Sequence, residues 1–270
     1  MRLRDRKGMK SMGKVELRKK ELLDILQKQE AVSVKETAAL LDVSLPTARR
    51  MCTQLANEGK AIRTHGGIKA LDGIDNSYSF DELNTKYVEE KMKIARYASS
   101  LVKSDQVIFI EAGTTLRHFA SALAERIKRQ EISNVVIFTN SLINLNILHP
   151  VQNNIILIGG QYRDERKDFT GYISEMSLHG LQFNYSFIGA DAVSLTRGAM
   201  AMDMNTVRFD TELVHHSEKV IILAGSEKFN KNSLISYVDV NKVHAIITDN
   251  NLDADIRDSY RGRGINLVTV

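Results

Sequence analysis

Apolar residues recur at helical spacing in the first quarter of the chain and, beyond it, collect into short β-branched runs. Between Val15 and Gln29, Leu22, Leu23, Ile25 and Leu26 form one stripe, which predicts a helix. Ser33 and Glu36 make a capping box ahead of Val34, Ala38 and Leu41, so a second helix starts there. Asp42, Val43 and Ser44 read as a tight turn. Ser44 can cap the third helix, which tolerates Pro46 in its first turn and ends at Gly59 after running to about Glu58. On this helix Ala48, Met51, Cys52 and Leu55 share one side, while Thr47, Arg49, Arg50, Thr53, Gln54 and Asn57 lie away from it. Next, Ala61–Thr64 and Ile68–Ala70 flank Gly66 and Gly67 as a hairpin. Three helices and a glycine-tipped hairpin are the layout of a winged helix-turn-helix.

Residues 72–86 are rich in turn formers and read as a linker; a helix from about Tyr87 to Val102 then opens the second domain. Seven β-branched runs follow: Gln106–Ile110, Asn134–Thr139, Asn154–Ile158, Tyr185–Gly189, Val220–Ala224, Ala245–Thr248 and Ile265–Val268. Helical stretches separate most of them, which predicts βαβ units around a mostly parallel sheet covered on both faces. The expected fold class is therefore α/β, with residues 15–71 as the small winged domain and 87–270 as the larger one.

Candidate chemistry falls in two places. Arginines on a helix of short polar residues suit a major groove, because a guanidinium forks onto guanine edges or phosphates. Ser44, Thr47, Arg49, Arg50 and Thr53 are the candidate DNA contacts there, with Arg63, His65 and Gly66 on the wing. In the second domain, ligands of such sheets sit beyond the carboxyl ends of the strands. Those ends carry Glu111-Ala112-Gly113-Thr114-Thr115, Thr139-Asn140-Ser141, Gly159-Gly160 and Gly189-Ala190-Asp191. Gly113-Thr114-Thr115 leads into a helix expected near Leu116, whose N-terminal N–H groups favour a phosphate. Asp191 and Asp203 can accept from sugar hydroxyls, and Lys228 can pair with phosphate. The candidate effector site is thus Gly113, Thr114, Thr115, Thr139, Asn140, Gly159, Gly160, Asp191, Asp203 and Lys228, and the ligand a sugar phosphate.

Charge sharpens the division of labour. Residues 1–70 hold 16 Lys and Arg against 8 Asp and Glu, whereas the whole chain is only +4, so the basic surplus lies in the winged domain and suits a polyanion. Residues 1–14 carry six basic residues and no apolar period; they read as a disordered tail, as a basic arm along DNA, or as residues upstream of a start at Met9 or Met12. A single cysteine builds neither a disulfide nor a cysteine cage within one chain. No run of about 18 apolar residues and no secretion signal are seen, so a cytoplasmic protein without membrane contact is expected. No cofactor is called for and no metal site is expected: His215 and His216 are adjacent in a predicted helix and diverge. Asp164–Asp168 reads as a solvated loop or a lid, and the alternation of Met200, Met202 and Met204 as packing.

Nearly everything from Val15 to Val270 resembles the DeoR family of bacterial transcription regulators. The first domain does so through Ser44, Thr47, Arg49-Arg50, Leu55, Gly59, Arg63 and His65-Gly66-Gly67. The second does so through Gly113-Thr114-Thr115, Thr139-Asn140-Ser141, Gly159-Gly160, Phe187–Asp191, Gly198 and Ser226–Phe229. The resemblance implies a ribose-5-phosphate isomerase/CoA-transferase-like sensor that binds a phosphorylated sugar or polyol and changes affinity for an operator, typically as a repressor of a catabolic operon. The sequence departs from the family at Met51 in the first domain and at Glu111, Asn205-Thr206 and Gly225 in the second, and from the latter a difference in sugar recognition is expected.

The rival reading is a sugar-phosphate isomerase. Isomerising an aldose needs a carboxylate base near the C–H and a donor for the enediolate. Where the isomerase carries its first acid this chain has Ile188, though Asp191 keeps the second, and near its glutamate Asn205 and Thr206 stand, neither a base, so binding without turnover is expected. A DNA-bound homo-oligomer, dimer or tetramer, would present reading helices to spaced half-sites of a double-stranded operator.

Overall fold

The computed structural model describes residues 14–29, 31–57, 61–64, 66–69, 78–152 and 154–270. The chain divides into two compact units, Met1–Ser77 and Tyr78–Val270.

In the first unit the order is α1 (Lys14–Lys28), β1 (Ala31–Ser33), α2 (Val34–Leu40), α3 (Leu45–Asn57), β2 (Ile62–Arg63) and β3 (Gly67–Lys69). Ser33 caps α2 reciprocally: its hydroxyl accepts from the Glu36 N–H at 3.1 Å, and Glu36 Oε2 accepts from the Ser33 N–H at 2.8 Å. The turn to α3 passes through Asp42 in the left-handed region, at φ 48°. Its carbonyl accepts from the Arg18 guanidinium of α1. Leu22 and Leu26 of α1, Leu41, and Ala48, Met51, Cys52 and Leu55 of α3 bury together with Val32 and Ile68. The predicted apolar side of α3 is therefore the packed side. β1 is an element the sequence reading missed; it pairs with β3, giving the antiparallel order β1-β3-β2. This pairing dictates Gly67, since a Cβ there would stand 2.2 Å from the Val32 carbonyl oxygen.

In the second unit the order is α4 (Phe80–Asn84), α5 (Val88–Ser100), β4 (Val107–Ile110), α6 (Thr114–Lys128), β5 (Val136–Thr139), α7 (Leu142–Leu148), β6 (Ile155–Leu157), β7 (Gln161–Arg163), β8 (Asp168–Thr170) and α8 (Tyr172–Ser177). It continues with β9 (Tyr185–Gly189), β10 (Ala192–Ser194), β11 (Gly198–Ala201), α9 (Met204–His215), β12 (Val220–Leu223), β13 (Ile235–Val238), β14 (Ala245–Thr248), α10 (Ala254–Gly262) and β15 (Leu267–Thr269). The seven runs picked out by β-branching form one sheet in the order β15-β14-β12-β9-β4-β5-β6, with every neighbouring pair parallel. Alternate residues enter two cores. Phe109, Ile188, Ile222 and Ile246 pack on the side of α9 and α10. Ile108, Ile110, Phe187, Ile221, Leu223 and Ile247 pack on the side of α5 and α6. Each such buried side chain contributes roughly 1.5–3 kcal/mol, so both faces are strongly specified.

Three boundaries differ from the sequence reading. Lys14 belongs to α1 rather than to the tail, whose residues 1–13 lie outside those described. The segment read as a linker to residue 86 is folded from Tyr78 onward: Ser79 caps α4 by accepting from the Glu82 N–H, and Phe80 is buried. One helical turn is too short to show a period, which is why turn formers dominated the reading. Finally, Thr114 and Thr115 lie inside the first turn of α6 rather than in a loop before Leu116.

Candidate functional site

On α3 the residues facing away from the core are organised by the helix start. The Ser44 hydroxyl lies 2.9 Å from that of Thr47 and accepts from the Thr47 N–H. Arg49, Arg50 and Thr53 are exposed, and Thr53 donates back to the Arg49 carbonyl at 3.0 Å, leaving both guanidinium groups on the open surface. Leu45, Pro46, Arg49, Arg50, Thr53 and Gln54 line a shallow groove of about 440 Å³. On the wing, Arg63 donates to the carbonyls of Thr64 and Gly67, so its guanidinium braces the hairpin. Gly66 is exposed, with open space where a Cβ would point. His65 lies outside the described residues.

The second site forms where the sheet reverses direction. From β4 the chain proceeds to β5 and β6 on one side, then returns to place β9 against the other edge of β4. A crevice opens at such a reversal, beyond the carboxyl ends of the strands. There the Glu111 carboxylate, just after β4, accepts from the Gly189 N–H at the end of β9 at 2.8 Å. The Asn140 side chain joins the neighbouring loops: it accepts from the Ala112 N–H and donates to the Phe169 carbonyl. Thr139 is fully buried, its hydroxyl accepting from Ser141 and Asn144. Gly113 gives α6 no side-chain cap, and Thr114 and Thr115 are nearly buried in its first turn. Gly159 accepts from the Ser174 hydroxyl at 2.7 Å. At Gly160 a Cβ would meet that hydroxyl at 2.0 Å and the Thr170 carbonyl at 2.7 Å, so the glycine lets β8 and α8 close over this end of the sheet.

The segment Asp164–Asp168 is neither solvated throughout nor a free loop. It forms the turn between β7 and β8 and the start of β8, and it delivers charge inward. Arg163 forks onto Asp168 at 2.8 and 2.5 Å and reaches Asp203 at 2.6 Å and the Thr206 hydroxyl at 2.9 Å. Arg166 donates to Asp191 at 2.8 Å, stands 3.2 Å from Asp203, and stacks 3.9 Å over the Tyr78 ring. Asp191 also accepts from the Met202 N–H, and Asp203 caps α9 through the Thr206 N–H. The two acids predicted to read sugar hydroxyls are thus brought together, and both are held by arginines. The sequence reading missed Arg163, Arg166, Asp168 and Tyr78 because a run of charges looks like surface. The signal it overlooked was Tyr162 and Phe169 flanking a turn, which pair across β7 and β8.

Burial sets the charge states. It pushes the Glu111 carboxyl up to about 8, against the Gly189 N–H and with Asp168 nearby. Asp210 of α9, 1% exposed, is driven well above the usual carboxylate range by burial and by Glu111, and its Oδ1 has no partner among the described residues. Asp203 goes the other way: burial is outweighed by Arg166, Arg163 and the Thr206 N–H. Burial opposes the Arg166 charge, but Asp191, Tyr78 and Asp203 together hold its proton more firmly than usual.

Lys228 follows a different strand, β12. It lies in the short turn Ser226–Lys228 after β12, 4.0 Å from Glu227, and its charge acts on the buried Lys91. Ser226 anchors that turn to Asp249 beyond β14. His216 bonds the Leu181 carbonyl through Nδ1, and among the described residues no group of three His, Cys, Asp or Glu is arranged to hold a metal ion. Met200 is buried, as expected for packing, whereas Met204 is exposed. Among the described residues no helix is long and apolar enough to cross a membrane.

Residues 18–73 match the DeoR-like helix-turn-helix domain, and residues 86–250 match the DeoR C terminal sensor domain. The chain is 32% identical over 240 residues to the lactose phosphotransferase system repressor of Lactococcus lactis subsp. lactis, covering 87% of this chain and 91% of that one. It is 28% identical over 238 residues to the HTH-type transcriptional regulator IolR of Bacillus subtilis (strain 168), covering 88% and 92%. Among solved structures, D-ribose-5-phosphate isomerase in complex with phospho-erythronic acid aligns over 53% of this chain and 54% of that one, at 19% identity and a TM-score of 0.41.

Proposed function

The chain belongs to the DeoR family of transcriptional regulators, and from that premise we propose that it represses a carbohydrate catabolic operon under the control of a phosphorylated sugar or polyol held in its second unit. It is a DNA-binding transcriptional regulator and not an enzyme. The observation that carries the proposal is the two-sided α3: Ala48, Cys52 and Leu55 are fully buried while Arg49, Arg50 and Thr53 are exposed on the opposite surface. Such a helix can enter a major groove without disturbing its own core. The effector is proposed to sit at the sheet reversal, its phosphate at the start of α6 by Gly113, Thr114 and Thr115, and its hydroxyls at Asp191 and Asp203. Gly159 and Gly160 would border it, and Thr139 and Asn140 hold the loops in place. Lys228, in the turn after β12, is proposed to pair with the phosphate. The lactose phosphotransferase relative is a repressor, which supports that sign.

Working on duplex DNA, the protein is proposed to act in the cytoplasm as a homo-oligomer, so that paired reading helices meet paired half-sites. An exposed apolar face on α8, Tyr172 at 69% and Ile173 at 67% exposure, supports self-association.

One experiment addresses both ends. Arg50→Ala should weaken operator binding, followed by fluorescence anisotropy, by about 1–3 kcal/mol if the side chain reads a base. A sugar phosphate at about 100 times its Kd should raise the stability of the protein by about 2.7 kcal/mol in a thermal-shift panel. Unchanged operator affinity would remove Arg50 from the reading surface, and a flat panel would remove the effector.

A further inference from the structure

Arg166 is a nearly buried cation at the proposed effector site. Asp191 and Asp203, the acids offered to the effector's hydroxyls, already hold Arg166, whose guanidinium lies on Tyr78, and Asp203 is shared with Arg163. We propose that Arg166 is the positioning residue that reports occupancy of this site: hydroxyls that take Asp191 and Asp203 release its guanidinium, and with it Tyr78. The inference rests on the effector reading of the same site.

Three features carry it. First, hydroxyl donors and guanidinium donors compete for the same carboxylate lone pairs, and a nearly buried guanidinium does not stay where its partners are lost. The turn that bears it must then move. Second, that turn is one of the attachments of the segment starting at Tyr78, which Lys91 of α5 and Arg117 of α6 also hold at Leu83, Lys86 and Asn84. Besides the stack, the Phe80 N–H donates to the Glu165 carbonyl at 2.9 Å, and Lys167 lies 3.7 Å from Asp81. Third, Tyr78 is the first residue of the second unit, so in sequence this segment is the part of that unit next to the DNA-binding unit. The stack also dictates the residue type. A planar guanidinium can lie on a ring while forking onto two carboxylates, and an ammonium cannot do both.

The test uses the full chain, a DNA duplex selected by the wild type, and ribose 5-phosphate, glucose 6-phosphate and glycerol 3-phosphate as probes. Calorimetry reads probe affinity, and anisotropy reads the ratio of DNA affinities with and without probe. The wild type should show a ratio of about 5- to 150-fold, the usual range for coupled sites. Arg166→Lys keeps the charge and Tyr78→Ala keeps the acids, so both should still bind the probe while the ratio collapses toward one; Tyr78→Phe, which retains the ring, should respond as the wild type. Hydrogen exchange should rise on probe binding at residues 78–84 and 164–167 in the wild type. If Arg166→Lys and Tyr78→Ala respond fully, the relay is wrong while the sensor stands. If no probe binds the wild type or changes its DNA affinity, the sensor reading falls and takes the relay with it.

Discussion

Glu111 gives the sheet-end site a pH dependence of its own. Burial raises its carboxyl from the usual 4.5 to about 8, so between these values the folded protein keeps a proton that the unfolded chain has lost. Below the window both states are protonated and the group contributes no slope; within it, rising pH favours the unfolded state by about 1.4 kcal/mol per pH unit at most. Glu111→Gln should therefore flatten the fall in stability between pH 5 and 8 in urea titrations, with its advantage over the wild type greatest at the alkaline end. Equal slopes would mean that the carboxyl is ionised in the fold. At this scale Asp191 was conspicuous as an acid just beyond a β-branched run and Asp203 as an acid in a later loop. The sequence concealed Arg166, whose partner Asp191 is 25 residues away, since nothing local distinguishes a buried arginine from a solvated one.

Among the elements, α2 is held by local chemistry that can be removed cleanly. Ser33→Ala deletes the hydroxyl that accepts from Glu36 and should cost the first unit about 1 kcal/mol in denaturant titrations, without touching the reading surface of α3. A loss within error would mean that packing of Val34 and Leu41 alone sets the helix start. The capping box, the helix pair and all seven sheet strands were readable because their signals are short-range: a cap at fixed spacing, or a β-branched run bounded by turns. Strands β1, β7 and β8 were not, as each draws its definition from an antiparallel partner strand rather than from a β-branched run of its own. β10, β11 and β13, of three, four and four residues, form a small antiparallel sheet that the β-branched runs also did not mark.

At the scale of the whole molecule, assembly and independence of the two units are open to direct measurement. On the proposed homo-oligomer, Ile173→Glu puts a charge on the exposed face of α8 and should lower the mass measured by light scattering, while leaving thermal stability of the isolated chain nearly unchanged; an unaltered mass would remove α8 as an assembly surface. The units have separate apolar cores, so an effector bound to the second should raise one unfolding transition and leave the other in place. The sole cysteine makes that separation observable. Cys52 is fully buried beneath the reading surface, and burial pushes its thiol up. An alkylating reagent should find no target in the native state, and its incorporation should track the rare openings of the DNA-binding unit alone. The molecule thereby contains a built-in stopwatch for one half of itself, and it should hold its grip on an operator through oxidant exposure that would disable a regulator with a surface thiol.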